Sequence, residues 1–96
     1  MTQPHIKLTG YLDVPAERWD AVMESLKTHI DLTRQEPGCI SFNVEPCSDT
    51  PHRLLVSELF ESQEDFDAHQ VRAKASVWAE ISAGIPRNYE IKEVSK

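Results

Sequence analysis

The chain has 96 residues, ten of them Lys or Arg and sixteen Asp or Glu, for a net charge of −6. A chain of this length has interior for one core, so residues 1–96 are expected to form a single domain that buries roughly 60 to 68% of its unfolded surface and gains from a partner subunit. The basic residues are scattered from Lys7 to Lys96 without a run or stripe, which argues against nucleic acid and anionic membranes as partners.

The opening "MTQPHIKLTG" is polar, and no apolar stretch has the length of a signal core or a membrane span, so a cytoplasmic protein is expected. In "HIKLTGYLDV", Ile6, Leu8 and Leu12 alternate with Lys7, Thr9, Tyr11 and Asp13, the period of a strand over residues 5–13. Pro15 suits a first helical turn, and Trp19, Val22, Met23, Leu26, Ile30 and Thr33 recur at spacings of three and four, predicting a helix over 15–35.

Pro37 disfavours helical geometry at Glu36, and Gly38 lets the backbone reverse, so the helix must end at this pair. Ile40, Phe42 and Val44 then alternate with Ser41, Asn43 and Glu45 as a second strand, and "PCSDTPHR" loops to a third. Cys39 and Cys47 fall at opposite ends of that second strand, about 26 Å apart, and are expected to be free thiols. "RLLVSELFE", residues 53–61, is apolar on both parities, with Leu54, Val56 and Phe60 on one face and Leu55 and Leu59 on the other, which predicts cover on both sides.

Ser62 and Asp65 form a capping box with Asp in the usual Glu position, followed by a helix with Phe66, His69, Gln70 and Ala73 on one side. Val77, Trp78 and Ile81 continue the apolar pattern, in one helix or two pieces, as far as Gly84. Pro86 breaks it and "RNYEIKEV" alternates as a last strand. The order β-α-β-β-α-β is that of an α+β, ferredoxin-like sandwich with a four-stranded antiparallel sheet, whose bare face a second subunit's sheet would cover.

Three stretches carry a family resemblance: "RQEPGC" at 34–39, "LLVSELFES" at 54–62 and "DFDAH" at 65–69. They resemble the Glu-Pro-Gly-Cys turn, the Glu-x-Trp strand and the His-bearing helix of antibiotic biosynthesis monooxygenase (ABM) domains, and the likeness spans nearly the whole chain. It implies a dimeric α+β barrel built sheet to sheet, with members that include quinol and anthrone-type oxygenases using no bound cofactor, haem-degrading enzymes and isomerase-like enzymes. Phe60 departs from the pattern, standing where many relatives carry Trp. The haem-degrading members pair a Trp there with an Asn on the first strand, and residues 5–13 contain no Asn.

His69 shares a face with Phe66 and Ala73, so it should point to the sheet, where an imidazole can take a proton from a phenol or enol at neutral pH; otherwise it only satisfies a backbone carbonyl. Glu58 lies on the parity of Leu54, Val56 and Phe60, and a buried carboxylate needs a partner. That partner is either His69, which it would orient, or one of Arg53, Arg72 and Arg87. Asn43 could donate to a developing oxyanion if its face looks into a pocket, and is otherwise a half-exposed strand residue. Phe42, Phe60, Phe66, Trp78 and Tyr89 suit the core, and equally the walls of a cavity for a flat aromatic.

His5, His29, His52 and His69 come from four elements with no i, i+4 pair, so no metal is expected, and three glycines leave no dinucleotide fingerprint. The expectation is a homodimer that needs no cofactor and uses O2 to oxidise a small electron-rich aromatic, with His69 and Glu58 as catalytic residues and Phe42, Asn43, Phe60, Phe66, Trp78 and Tyr89 as substrate contacts. An isomerase using the same base, or a small-molecule sensor, would share the pocket.

Overall fold

The computed structural model describes residues 4–95. Its elements are β1 (His5–Asp13), a 3-10 turn (Ala16–Arg18), α1 (Trp19–Arg34), β2 (Cys39–Pro46), β3 (Arg53–Phe60), α2 (Gln63–Lys74), α3 (Val77–Ile81) and β4 (Arg87–Val94). The strands form one antiparallel sheet in the order β2-β3-β1-β4, the arrangement of a ferredoxin-like α+β fold.

Register explains which face is buried. Ile6 pairs Phe60, Leu8 pairs Glu58 and Leu12 pairs Leu54, so the alternating apolar residues of β1 and β3 lie side by side beneath the helices. Val22, Leu26, His29 and Thr33, at helical spacing, turn the buried face of α1 onto them. The core therefore runs through Ile6, Leu8, Leu12, Val22, Leu26, Leu54, Phe60 and Phe66.

The expected alternation of β2 holds at Phe42 but fails at Ile40. A bulge between Cys39 and Ser41 sets Cys39 opposite Phe60 and Ser41 opposite Leu59, and Ile40 is left 45% exposed. The apolar residues of β3 also differ by face: Leu54, Val56 and Phe60 are buried, whereas Leu55 is 46% exposed on the open side of the sheet.

Two glycines fix how the site is built. A Cβ on Gly38 would lie 2.3 Å from the Asp65 Cβ, so the turn after α1 can touch the start of α2 only without a side chain. Gly10, paired with Tyr89, would bring a Cβ within 2.8 Å of the Tyr89 ring, and its bareness lets that ring lie across β1. Ser62 caps α2 by accepting from Asp65 N at 3.1 Å, the expected half of the capping box, and its hydroxyl, in place of its backbone N–H, donates to the Asp65 carboxylate at 2.9 Å. No helix among the described residues is long and apolar enough to cross a membrane. Cys39 and Cys47 are free.

Candidate active site

Only two residues separate the end of β3 from the start of α2, which carries His69 back over Glu58. Both side chains are buried, with His69 4% and Glu58 6% exposed, and His69 Nε2 lies 3.8 Å from Glu58 Oε1. The three arginines that could have neutralised Glu58 are engaged elsewhere. Arg53 pairs with Asp13 at 2.7 Å on the open sheet face, Arg72 pairs with Glu36, and Arg87 donates to Ser82 O at 3.1 Å and Ile85 O at 2.9 Å. His69 is thus the cation-forming group that faces Glu58, and Glu58 Oε1 has no hydrogen-bond partner among the described residues.

The other nitrogen of His69 is held from the Pro-Gly turn. Nδ1 is 2.9 Å from Glu36 Oε1, and because a carboxylate only accepts, Nδ1 carries the proton. Nε2 then presents its lone pair to Glu58 and the cavity. Arg72 holds the second oxygen of Glu36 and donates to Thr33 Oγ1 at 2.8 Å, so the orienting carboxylate is itself fixed by α1 and α2. Gly38 makes this possible, since the close approach of turn and helix brings Glu36 within reach of a residue 33 positions away.

Burial drives the electrostatics. It pushes the Glu58 carboxyl up to about 7, with the nearby Glu36 charge acting in the same direction. It pushes His69 below its ordinary value against the pull of Glu36, and His29 down to about 4. At neutral pH both imidazoles are therefore uncharged, and Glu58 is poised near its midpoint.

These groups line a cavity of about 330 Å³ between sheet and helices, together with Trp78, Arg87 and Tyr89. A larger groove of about 610 Å³ runs between α1 and α3 along Leu32, Val77 and Ile81, and shares His29 and Trp78 with the inner cavity. The larger space holds none of the paired titratable groups, so the chemistry belongs to the smaller one.

The proposed contacts divide accordingly. Trp78 and Tyr89 line the cavity with His69 and Glu58. Phe60 stacks on the His69 ring at 4.9 Å, Phe42 meets it edge-on at 5.7 Å, and Phe66 packs on Phe60 at 5.7 Å, so these three form the wall behind the base. Asn43 departs from expectation: it pairs Ser57 on the open face of the sheet, is exposed, and accepts from Arg34 at 3.3 Å, because the register that buries Phe42 turns its neighbour outward.

Two residues were missed. Glu36 stands in the quoted turn, but its contact joins distant parts of the chain and no spacing announces it. His29 could have been found, since 22, 26, 29 and 33 continue one helix face. It is stacked on Trp78 at 5.1 Å and meets Phe42 edge-on at 5.4 Å, and its Nδ1 has no partner among the described residues. No three His, Cys, Asp or Glu among those residues are grouped to hold a metal ion.

Comparison with known proteins bears on this arrangement. The solved structure of a candidate antibiotic biosynthesis monooxygenase from Nitrosomonas europaea is 22% identical and superposes with a TM-score of 0.81, covering 97% of this chain and 91% of that one. One from Deinococcus radiodurans is 18% identical with a TM-score of 0.83 over 95% of this chain and 93% of its own. Rv0793 from Mycobacterium tuberculosis is 19% identical with a TM-score of 0.73 over 92% of each. At these identities the likeness speaks to the fold. No curated protein matches the sequence significantly. The sequence model of the family described as antibiotic biosynthesis monooxygenase matches residues 6–80, from β1 into α3 and across the turn, strand and helix that assemble the His69 cluster, and the chain belongs to that family.

Proposed function

We propose that the protein is a homodimeric monooxygenase that oxidises a small electron-rich aromatic, quinol-like or anthrone-like, with O2 and without a resident cofactor. The observation that carries this reading is a neutral His69 whose Nδ1 is tied to Glu36 and whose Nε2 faces Glu58 in an aromatic-walled cavity. A substrate hydroxyl in the cavity donates its proton to Nε2, and the Glu58 carboxylate 3.8 Å away stabilises the imidazolium that forms. The resulting phenolate or carbanion is the reductant. The substrate gains one oxygen atom and loses two hydrogens, a quinol becoming a hydroxyquinone or an anthrone methylene a carbonyl; the second oxygen atom leaves with those two hydrogens as water, and all four electrons that reduce O2 come from the substrate. Trp78 and Tyr89 supply flat walls against which an aromatic ring can lie.

Oxygen uptake with a panel of hydroquinones and anthrones tests the reading. The protein should raise the rate above the uncatalysed reaction, and His69→Ala should lower turnover by roughly 100-fold or more with its thermal melt little changed. Conversion without O2 would make it an isomerase, and binding without conversion a sensor. Full activity in His69→Ala would remove His69 as the base.

A further inference from the structure

Lys74 and Arg87 line the 330 Å³ cavity from the last turn of α2 and the first residue of β4, and the proton-transfer step uses neither. Among the described residues neither pairs with a carboxylate, although the chain carries sixteen Asp and Glu against ten Lys and Arg. Both are exposed, so they stand at the rim of the cavity rather than in its depth. Two unneutralised cations at one small opening of an acidic protein set up a field that draws an anion to it.

Arg87 is locked in place by neutral acceptors. Its Nη1 donates to Ser82 O at 3.1 Å and to Ile85 O at 2.9 Å, and its Nη2 donates to Ser82 Oγ at 2.6 Å. Ser82 is fully buried and gives its own hydroxyl proton to Trp78 O at 2.7 Å, so toward the guanidinium it only accepts. A guanidinium has five N–H donors, and these three bonds leave Nε–H and one Nη2–H. Because both oxygens of Ser82 meet the edge shared by Nη1 and Nη2, the two remaining hydrogens point the same way. They form the fork that takes a carboxylate or phosphate side-on. Tyr89, two residues along the strand, is kept a neutral phenol by burial and supplies no counter-charge.

We propose that Arg87 and Lys74 form an anion-recognition subsite at the rim of the cavity, holding a carboxylate or phosphate group of the substrate while its hydroxyl lies against His69. The inference rests on the cavity assigned above and adds the charge of the substrate to it. Glu58 faces the same space beside His69 and repels an anion placed there when it is ionised, which confines the acidic group to the Arg87 side. The aromatic therefore carries its acidic substituent away from the reacting hydroxyl.

Anaerobic titration calorimetry tests this apart from turnover. 4-Hydroxyphenylacetate should bind at least about tenfold tighter than 4-hydroxyphenylacetamide, its uncharged counterpart, and the preference should shrink as salt is added. 4-Hydroxybenzylphosphonate, titrated beside them, separates the two anions: the tighter binder names the group. Arg87→Lys keeps the charge without the fork and should reduce the preference to within about threefold, while Lys74→Gln, a change at an exposed side chain, should lower it by about threefold. Equal binding of acid and amide, a preference untouched by Lys74→Gln, one kept by an Arg87→Lys variant that melts like the wild type, or the absence of all binding overturns the proposal. Anion preference with no oxygen uptake on 2,5-dihydroxyphenylacetate leaves the subsite and removes the oxygenase reading alone; oxygen uptake on neutral quinols with no anion preference does the reverse.

Discussion

His69 lies between two carboxyl groups that act on it differently. Glu36 accepts the hydrogen bond from Nδ1 and fixes the tautomer, while Glu58 Oε1 lies 3.8 Å from Nε2. The rate should therefore rise with pH through an apparent pKa near 7, where Glu58 ionises, and Glu58→Gln should flatten that limb at a cost of roughly tenfold, less than the loss of the base itself. Stability should show the same groups with opposite signs. Glu58, raised from 4.5 to about 7, contributes stability that is full below about 4.5 and lost as pH rises through about 7. His29, lowered from 6.5 to about 4, contributes stability that is full above about 6.5 and lost as pH falls through about 4. Across the overlap the two oppose each other. Removing the first by Glu58→Gln should leave a melting temperature that climbs with pH from 4 to 7 and exceeds the wild type at pH 8. A variant that melts below the wild type at pH 8 would mean that ionised Glu58 is stabilised by a partner after all.

At the scale of elements, the turn after α1 does two things at once. It ends the helix at Arg34, before Pro37, and delivers Glu36 to His69, and the second depends on Gly38 meeting Asp65 without a side chain. Gly38→Ala must displace Asp65, which accepts from Ser62 in the α2 cap, so it should destabilise the fold by about 1–3 kcal/mol. It should also lower turnover beyond what lost stability explains, because the Glu36 contact moves with the turn; thermal melts and steady-state rates at a temperature well below the transition separate the two. The same region shows where the sequence is legible. Periods of two and of three to four are local, and they give β1, the end of α1, the α2 cap and the break at Pro37 nearly to the residue, while the start of α1 expected at 15 falls at Trp19 because Ala16–Arg18 winds as a 3-10 turn. The Glu58 to His69 contact is also readable, because β3 leads straight into α2. Ile40 is not readable by alternation, since a bulge is decided by pairing with β3 rather than by β2 itself. Glu36 and His29 become site residues only once α1, α2 and the sheet are stacked, and a spacing rule that read His29 as one more histidine among four could not see the ring of Trp78 beside it.

At the scale of the molecule, the helices cover one side of the sheet and leave the other open. That open face carries Leu55 and Leu59 from β3 beside Tyr11 from β1, interleaved with Lys7, Glu45, Glu90 and Lys92, and Arg53 there is paired to Asp13 and lies 3.9 Å over the Tyr11 ring. β4 forms one edge of the sheet, and its residues from Arg87 to Glu93 are all exposed, including Ile91 at 54% and Tyr89 at 37%. An apolar strip flanked by an unpaired edge favours association with a second copy, since the partner offers the same strip and the same edge. Light scattering at micromolar concentration should accordingly give twice 10.9 kDa. Leu55→Arg should shift the protein toward monomer without changing the circular dichroism of the fold, because Leu55 is 46% exposed on the sheet face opposite the helices. Since Tyr89 lies on the exposed strand and also lines the cavity, the Leu55→Arg monomer should bind ligand more weakly than the dimer if the partner steadies β4. A wild type that stays monomeric at high concentration would defeat the sheet-to-sheet arrangement, and a dimer indifferent to Leu55→Arg would move the interface away from the open face.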